Sequence, residues 1–257
     1  MSVLDVAVAE GRATLTLSRP EIHNAINDKL IDALLSAVKD AAARDDVRYV
    51  VIAGAGKSFC AGADLNWMKA MVDASVEDNK KDVARLADLF DLMVACPKPV
   101  IARVHGAALG GGMGLVSACD LVAAAPRALF GLTEVRLGLV PAVIFPYLAR
   151  KVAPHELLST ALTGERFRAD RALSMGLVNE VDEDVDAVIA RWGEAFLQSG
   201  PEALGKVKRL FAEVPRLDAA AARELTTDMI ARVRVGAEGQ EGMRAFLEQR
   251  EPSWRGV

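Results

Sequence analysis

The sequence predicts an α/β fold in which strands alternate with glycine-rich loops and helices, followed by a helical C-terminal region. Two apolar, strand-like runs, residues 47–53 and 99–105, each lead into a glycine-rich segment and then into a stretch with helical patterning. From about Phe145 onward the pattern is mostly helical. Hydrophobic residues make up 52% of the 257 residues, which is ample for a large buried core, and an aromatic share of only 5% makes that core mostly Ala, Val and Leu.

The N-terminal elements follow from local patterns. Residues 3–8 and 14–18 alternate apolar and polar side chains around Gly11-Arg12, which predicts a β-hairpin. Asn27 is a suitable helix N-cap, and the apolar residues after it recur at helical spacing. These residues are Leu30, Ile31, Leu34, Leu35, Val38 and Ala42. The β-branched residues of 47–53 predict a buried strand.

The central part repeats this pattern. A glycine-rich loop over residues 54–64 precedes a polar stretch near residues 73–81, which we expect to be mobile, and a long helix reaching about Ala95. Pro97 and Pro99 end that helix, since proline cannot continue one. Further strands are predicted over residues 99–105 and 121–125, with the glycine triplet Gly110–Gly112 and a helix between them.

The C-terminal part is predicted to be helical apart from a short strand near residues 177–181. Amphipathic helices are expected over residues 202–211, 219–234 and 238–249. We therefore divide the chain into a core, residues 1–195, that holds the functional site, and a helical region, residues 196–257, that could cross onto neighbouring subunits.

Composition argues against several functional classes. A formal net charge of −4 is not that of a nucleic-acid-binding domain. The longest uncharged run, residues 106–119, is too short and glycine-rich to span a membrane, and the acidic N-terminus does not resemble a signal peptide. The three cysteines and three histidines lack metal-site spacing, so we expect no metal, reduced thiols and a cytoplasmic location.

The glycine triplet is the most informative motif. A helix starting there would present free backbone N–H groups and its positive dipole end to a ligand, with no Cβ in the way. A tight turn that packs a helix against a sheet explains the glycines equally well. Other glycine motifs fail: Val51 stands where a P-loop needs glycine, Leu115 breaks a dinucleotide-binding pattern, and there is no GxSxG sequence.

Two places remain where a predicted strand leads into a glycine-rich loop, at residues 62–64 and at residues 110–112. If they converge, the N–H groups of Ala63 and Gly111 can point at one carbonyl oxygen, an arrangement that suits a thioester that becomes an enolate. Such chemistry also needs a proton carrier. Glu134, beside Phe130, Leu132 and Val135, is the best candidate because an apolar setting raises a carboxyl pKa. A surface carboxylate or one at the start of a helix is the alternative interpretation of Glu134.

Taken together, these segments resemble the enoyl-CoA hydratase/isomerase (crotonase) superfamily over nearly the whole chain. The segments are Ser58-Phe-Cys-Ala-Gly-Ala-Asp-Leu65, Lys98-Pro-Val-Ile-Ala102, Gly106-Ala-Ala-Leu-Gly-Gly-Gly112, Cys119-Asp120, Gly131-Leu-Thr-Glu-Val-Arg-Leu-Gly-Leu139, Arg19-Pro-Glu-Ile-His-Asn-Ala25, Leu162-Thr-Gly-Glu-Arg-Phe167 and Ala172-Leu-Ser-Met-Gly-Leu-Val178. The resemblance implies a crotonase-like (ClpP/crotonase) spiral of ββα repeats, homotrimers or hexamers made of two trimers, and an acyl-CoA thioester substrate with no separate cofactor.

The resemblance also implies roles for individual residues. Ala63 and Gly111 align with the two oxyanion-hole donors, and Glu134 aligns with a catalytic glutamate. The backbone of Ala61, Gly62, Ala63, Asp64 and Leu65 resembles the part that meets the adenine and pantetheine of CoA. Lys206 and Lys208 could reach the CoA phosphates, although the basic cluster over residues 206–209 also fits a solvated helix face.

One departure from the superfamily pattern concerns Gly114, which stands where two-glutamate hydratases carry their second glutamate. The surrounding sequence is most like bacterial 3-methylglutaconyl-CoA hydratases of leucine catabolism and their terpenoid-degrading relatives. We therefore predict reversible hydration of 3-methylglutaconyl-CoA to 3-hydroxy-3-methylglutaryl-CoA, with Gly114 leaving room for the methyl branch or a water molecule. Lys69, Arg85 or Arg136 would bind the distal carboxylate unless they are ordinary surface charges.

Three other functions stay open at this stage. A Δ-isomerase needs only one glutamate to move a proton between carbons. A general short-chain enoyl-CoA hydratase would favour crotonyl-CoA. A non-catalytic subunit would only bind acyl-CoA or a partner protein.

Overall fold

A β-hairpin opens the chain in the computed structural model, which describes residues 2–255. Strands β1 (Leu4–Ala9) and β2 (Arg12–Leu17) pair antiparallel. The turn residues Glu10 and Gly11 have φ angles of 51° and 74°, and two consecutive left-handed residues are what a type I′ turn requires. The hairpin is confirmed, but its turn lies one residue earlier than predicted, because Arg12 already pairs with Ala9.

The strands form two sheets. The further strands are β3 (Tyr49–Gly54), β4 (Val100–Val104), β5 (Ala107–Leu109), β6 (Leu121–Ala124), β7 (Leu129–Gly131), β8 (Arg166–Arg168) and β9 (Glu180–Val181). The larger sheet has the order β1-β2-β3-β4-β6-β9 and is parallel from β2 onward. The smaller sheet has the order β5-β7-β8, with β5 and β7 parallel and β8 antiparallel to β7. The short strands β5, β7 and β8 were not predicted.

Helices connect and cover the strands. They are α1 (Asp28–Ala43), α2 (Leu65–Ala70), α3 (Val76–Ala95), α4 (Gly111–Ala118), α5 (Phe145–Leu148), α6 (Pro154–Thr163), α7 (Ala169–Ser174), α8 (Val185–Gln198), α9 (Pro201–Glu213), α10 (Ala219–Val235) and α11 (Ala237–Leu247). Asn27 caps α1 as predicted, since its side chain accepts a hydrogen bond from the Leu30 N–H at 3.0 Å.

Helix α3 begins earlier than the sequence indicated. We expected a mobile polar stretch near residues 73–81, but the helix already starts at Val76. Ser75 accepts a hydrogen bond from the Asp78 N–H, and Glu77 and Asp78 complement the helix dipole in the first turn. A good N-cap and acidic first turn therefore extend the helix through residues that are too polar for an apolar pattern to reveal.

Both faces of the larger sheet are buried. Along β3, Val50 and Ile52 join the main core, whereas Tyr49 and Val51 face the opposite side, where helix α8 packs. This alternation is the two-residue period of a strand buried on both faces. Helix α4 is enclosed in the main core, with every residue buried after Gly111. One end of that enclosed helix forms part of the candidate site.

The C-terminal helices are confirmed, but they bury little of their surface. Helix α10 has no buried residue and α11 buries only Ala245. Exposed apolar side chains on these helices include Ile230, Phe246 and Leu247. The domain boundary at residue 195 and the trimer or hexamer stay predictions, and light scattering of the purified protein would test the oligomeric state. Within the described part of the chain, no helix combines the length and apolarity needed to cross a membrane.

Candidate active site

Two loops and a single turn of 3₁₀ helix meet at one cavity. Ala63 before α2, Gly111 at the start of α4 and Glu134 after β7 all line a cavity of about 270 Å³. The rest of the lining is Ile26, Trp67, Val83, Leu86, Val140, Pro141, Ala142, Val143 and Ile144. The structure thus brings together the three residues to which the sequence assigned catalytic roles, inside an otherwise apolar wall.

The backbone on either side of Ala63 is held by Ile26. The Ile26 N–H donates to the Gly62 carbonyl at 2.7 Å, and the Asp64 N–H donates to the Ile26 carbonyl at 2.8 Å. Gly62 adopts a φ of 107°, in the region that favours glycine. The Ala63 N–H itself has no acceptor among residues 2–255. The loop therefore fixes this peptide while leaving its donor free.

The glycine triplet positions the second donor. Gly110 has a φ of 49°, and a Cβ on Gly112 would lie 2.2 Å from the Cys60 carbonyl oxygen. Glycine at these positions lets α4 begin directly against the Cys60 loop. The Gly111 N–H, in the first turn of α4, has no acceptor in the described part of the chain. The packing turn and the free helix N-terminus, offered as alternatives from sequence, are both present.

The two loops are joined by direct backbone pairing. The Cys60 N–H donates to the Ala107 carbonyl at 2.9 Å, and the Leu109 N–H donates to the Cys60 carbonyl at 3.0 Å. A Cβ on Gly110 would lie 3.8 Å from the Gly62 Cα. These contacts hold the segments before Ala63 and before Gly111 side by side. Donation by both N–H groups to one carbonyl oxygen stays a prediction.

Glu134 begins the 3₁₀ helix Glu134–Leu137, and its carboxylate lies next to the glycine triplet. Its Oε1 atom would be 3.4 Å from a Cβ on Gly110. Its Oε2 atom is buried and has no hydrogen-bond partner among the described residues. Burial raises the pKa of this carboxyl above its ordinary value of 4.5, because the charged form loses hydration. Glu134 therefore lies both at the start of a helix and in the cavity. It is not a solvated surface carboxylate.

The raised pKa of Glu134 predicts a pH-dependent cost in stability. Since the folded state binds its proton more tightly than the unfolded chain, the free energy of unfolding falls as pH rises from 4.5 through the folded pKa. Glu134→Gln removes this cost. We expect the variant to melt at a higher temperature than the parent at pH 7, with the difference shrinking below pH 4.5. Calorimetry across this range checks it, and equal melting temperatures at pH 7 would contradict it.

The environment of Gly114 overturns one expectation. A Cβ on Gly114 would lie 2.4 Å from Phe90 Cζ and 2.6 Å from Ile144 Cγ2. Both side chains are buried, so Gly114 leaves no room for a methyl branch or a water molecule. The place of a second glutamate is filled by hydrocarbon, and a longer side chain there requires the core to move.

Residues 61–65, the segment assigned to CoA binding, contain one charged side chain, and it contacts other parts of the protein. Asp64 is buried, its Oδ2 lies 2.6 Å from Arg19 Nη2, and its Oδ1 caps α2 by accepting from the Asn66 N–H at 2.8 Å. In this segment the Ala63 N–H, which has no acceptor among residues 2–255, and the Leu65 side chain, 73% exposed, remain available to a ligand. Contact of Ala61, Gly62, Ala63, Asp64 and Leu65 with CoA stays a prediction.

The Arg19–Asp64 pair is expected to stabilise this loop. Burial alone would raise the pKa of Asp64, but hydrogen bonds from Arg19 and Asn66 and the Arg19 charge outweigh it and lower the pKa below 3.8. Asp64→Ala should lower the free energy of unfolding by about 2–3 kcal/mol, because the half-buried Arg19 loses its charged partner and α2 loses its N-cap. The difference from the parent should be complete above pH 3.8 and fade as pH falls through the lower, folded pKa. Urea unfolding checks this, and Leu65→Ala, an exposed neighbour, is the control expected to change little.

None of the candidate cations lines the cavity. Arg85 pairs with Asp32, Lys69 is exposed near the end of α2, and Arg136 packs against Gly164. On α9, Lys206 pairs with Glu202 at 2.7 Å and lies outside this cavity, whereas the half-buried Lys208 pairs with Asp120 at 2.6 Å. Glu134 is the one ionisable side chain in the lining. The described residues contain no cluster of His, Cys, Asp or Glu suited to a metal ion.

The sequence interpretation missed several residues of this site. Ile26 holds the Ala63 loop, Phe90 and Ile144 close the space beside Gly114, and Trp67 lines the cavity while its Nε1 donates to Asp82 at 2.9 Å. Ile26 directly follows the segment that ends at Ala25, so its place beside the motif was the one available signal. The apolar residues gave no such signal in the sequence, because any side chain of the hydrophobic core is equally apolar.

Comparison with known proteins extends these observations. The family model described as enoyl-CoA hydratase/isomerase matches residues 8–257. A putative enoyl-CoA hydratase of Thermus thermophilus is 34% identical, over 96% of this chain and 99% of that protein. The mevalonyl-coenzyme A hydratase SIDH of Beauveria bassiana is 32% identical, over 94% and 90%. The crystal structure of an enoyl-CoA hydratase from Shewanella pealeana superposes with a TM-score of 0.96 at 36% identity, covering 98% and 96%.

Proposed function

Because the chain belongs to the enoyl-CoA hydratase/isomerase family, we propose that it adds water reversibly to an enoyl-CoA branched at C3, using Glu134 as its single acid–base carboxylate. The observation that carries this proposal is the content of the cavity. Two backbone N–H groups that have no acceptor among residues 2–255 and one ionisable side chain lie within a wall that is otherwise apolar. Hydrocarbon fills the space beside Gly114, so catalysis through a second carboxylate there is excluded.

The two N–H groups supply the electrostatic part of the mechanism. The thioester oxygen accepts hydrogen bonds from Ala63 and Gly111, and the negative charge that develops on it as the enolate forms strengthens both bonds. The donors are fixed by backbone pairing, so they need no rearrangement during the reaction. Removing one donor from such a hole costs about 2.7–4 kcal/mol of barrier.

Glu134 supplies the proton transfers. In dehydration its carboxylate removes a proton from C2, and the resulting carboxylic acid then donates to the departing hydroxyl at C3. Hydration runs the same steps backward with one water molecule. A pKa raised by burial brings the two protonation states closer in energy at neutral pH, which suits a group that must serve as both base and acid.

A branched substrate offsets the lack of a second carboxylate. A tertiary C3 shares the positive charge that develops as its C–O bond breaks, so the departing hydroxyl needs less help. The Beauveria bassiana relative is named for mevalonyl-CoA, and a mevalonyl group carries both a methyl and a hydroxyl group on C3. This name supports a tertiary centre in the substrate of the present chain.

The acyl tail is constrained by the charge of the cavity. The predicted substrate, 3-methylglutaconyl-CoA, carries a distal carboxylate, and the lining described above holds no cation to pair with it. Val83 and Val143 also line an adjoining groove, whose other residues are Ala74, Val76, Asn79, Lys80, Ala84 and Ala87. Among the described lining residues, Lys80 is therefore the one cation that a long acyl tail would meet, and it lies in the groove rather than in the lining of the first cavity. A short, neutral, branched tail fits the apolar lining of the first cavity, so we place it ahead of 3-methylglutaconyl-CoA within the same reaction class.

Δ-Isomerisation is the second candidate, and the presence of a single carboxylate favours it specifically. One base can remove a proton from C2 or C4 and return it to the other carbon. No water is consumed in that reaction. Isomerase and hydratase are therefore separated by whether solvent oxygen enters the product.

The experiment follows the mass of the products in water enriched in oxygen-18. We expect 3-methylcrotonyl-CoA to gain labelled oxygen faster than crotonyl-CoA, and 3-hydroxy-3-methylglutaryl-CoA to lose water more slowly than its neutral analogue 3-hydroxy-3-methylbutanoyl-CoA. A preference for the glutaryl substrate would restore 3-methylglutaconyl-CoA as the acyl group. Conversion of 3-butenoyl-CoA to crotonyl-CoA without label, and no hydration of any substrate, would replace the hydratase with the isomerase.

A further inference from the structure

A second cavity, of about 420 Å³, lies at the opposite end of helix α4 from the oxyanion donors. Gly111 opens the helix at the first cavity, and Ser117 and Ala118 close it at the second. The two cavities share no lining residue. The second one therefore cannot be an extension of the Glu134 site.

The walls of this second cavity are largely apolar. Val94 from the end of α3, Ala118 from α4, and Val207 and Phe211 from α9 supply hydrocarbon surface. Ligand cavities commonly combine such walls with a few convergent polar groups that fix orientation. The polar groups present here decide what kind of ligand would fit.

One carboxylate and one lysine of the cavity satisfy each other. Lys208 Nζ lies 2.6 Å from Asp120 Oδ2 and also donates to the Lys98 carbonyl at 2.9 Å. The same Asp120 oxygen accepts from the Val100 N–H at 2.7 Å. This pair ties α9 to the larger sheet, and Asp120 is the one carboxylate in the described lining of the cavity.

Two further cations in the lining lack a carboxylate partner. The Arg150 guanidinium stacks over the Phe211 ring at 5.5 Å and has neither a hydrogen bond nor an ion pair with any described residue. Lys151 Nζ donates to the Asp120 carbonyl at 3.2 Å, and its other N–H groups have no acceptor in residues 2–255. Burial lowers the pKa of both groups, and the charge of Arg216 lowers that of Arg150 further. The cavity thus holds more positive charge than its one carboxylate neutralises.

We propose that this second cavity binds an organic anion, with a carboxylate or phosphate group held by Arg150 and Lys151 and an apolar body against Val94, Val207 and Phe211. Arg150 presents a planar set of donors that matches two oxygens of either group, and Lys151 adds a point charge. An anion would relieve the repulsion between the adjacent cations. The apolar walls favour a ligand with a hydrocarbon body over a bare inorganic ion.

The test is calorimetric titration of the purified full-length protein, in its native oligomeric state, with octanoate, octyl phosphate, octanol and inorganic phosphate. We expect one of the two octyl anions to bind, and the tighter one identifies the head group. Octanol and inorganic phosphate should bind at least tenfold more weakly, since each lacks one half of the ligand. Rising salt concentration should lower the affinity for the octyl anion, because electrostatic attraction holds its head group.

Matched variants locate the binding. Arg150→Gln and Lys151→Met should each lower the affinity for the octyl anion by about tenfold, because each removes a charge-assisted hydrogen bond. Two control variants should leave the affinity for the octyl anion unchanged. They are Lys39→Met, at an exposed lysine on α1, and Glu134→Gln, in the first cavity. Circular dichroism confirms that each variant is folded. Equal binding of octanol and the octyl anions, unchanged binding in both cavity variants, or no binding by either anion would overturn the proposal.

Discussion

Glu134→Gln is expected to lower kcat for hydration by about 10²–10⁴-fold while the protein still binds acyl-CoA. Glutamine keeps the size of the side chain but cannot accept or return a proton. The backbone donors at Ala63 and Gly111 are untouched by the change, so binding of the thioester should persist. Steady-state kinetics with 3-methylcrotonyl-CoA, together with calorimetric binding of the same compound, check both parts.

The control for this variant is Glu165→Gln. Glu165 pairs with Arg171 at 2.7 Å and lies outside the cavity, so its loss should leave kcat near that of the parent. For the parent, kcat/KM in dehydration should rise with pH through the raised pKa of Glu134, since the base form starts that reaction. Near-normal turnover by Glu134→Gln, with the acyl-CoA complex intact, would remove Glu134 from the mechanism.

Gly114→Glu is expected to prevent folding rather than to create a two-glutamate hydratase. Its Cβ alone would lie 2.4 Å from Phe90 Cζ, and its carboxylate would be buried among hydrocarbon without a partner. Overpacking and an unpaired buried charge together should cost about 4–5 kcal/mol or more. That loss is comparable to the whole stability of many domains, about 5–15 kcal/mol. Soluble yield and urea unfolding measure it.

Smaller changes at the same position separate the causes. Gly114→Ala should lower the free energy of unfolding by about 1–3 kcal/mol through overpacking alone. Adding Phe90→Leu, which shortens the side chain that a Cβ would meet, should recover part of that loss. A stable Gly114→Glu protein with faster hydration of crotonyl-CoA would show that the core yields at Gly114 and that a second carboxylate is usable there.

The sequence was most informative where backbone geometry demands a particular residue. Prediction of the crotonase-like fold is confirmed by the match to the Shewanella pealeana structure. The glycine triplet was recognisable because Gly110 needs a positive φ and Gly112 lies against a carbonyl oxygen. Asn27 was recognisable for a similar reason, since a helix start needs a side-chain acceptor. Such requirements are local, so they can be recognised from the residue itself and its neighbours in the sequence.

The sequence failed where the decisive contact is long-range. Nothing near Gly114 reveals that Phe90 and Ile144 occupy the space in front of it, and the expected vacancy was therefore wrong. The sequence also did not reveal that the Asp64 carboxylate pairs with Arg19, which is 45 residues away in the chain. The strands β5 and β8 are three residues each, and pairing with β7 rather than local pattern defines them.

The role of Ile26 has a consequence for how mutations can damage this protein. The two proposed oxyanion donors are main-chain atoms, and no substitution at Ala63 or Gly111 short of proline deletes the N–H group itself. Ile26 pairs with the peptides flanking Ala63, and its Cδ1 would lie 2.9 Å from a Cβ on Gly111. Variation that spares every recognised motif can thus still shift the Gly111 donor, because a change of the Ile26 side chain alters the packing against Gly111 even though the main-chain hydrogen bonds of Ile26 persist. A survey of inactive variants that inspects only polar residues would overlook it.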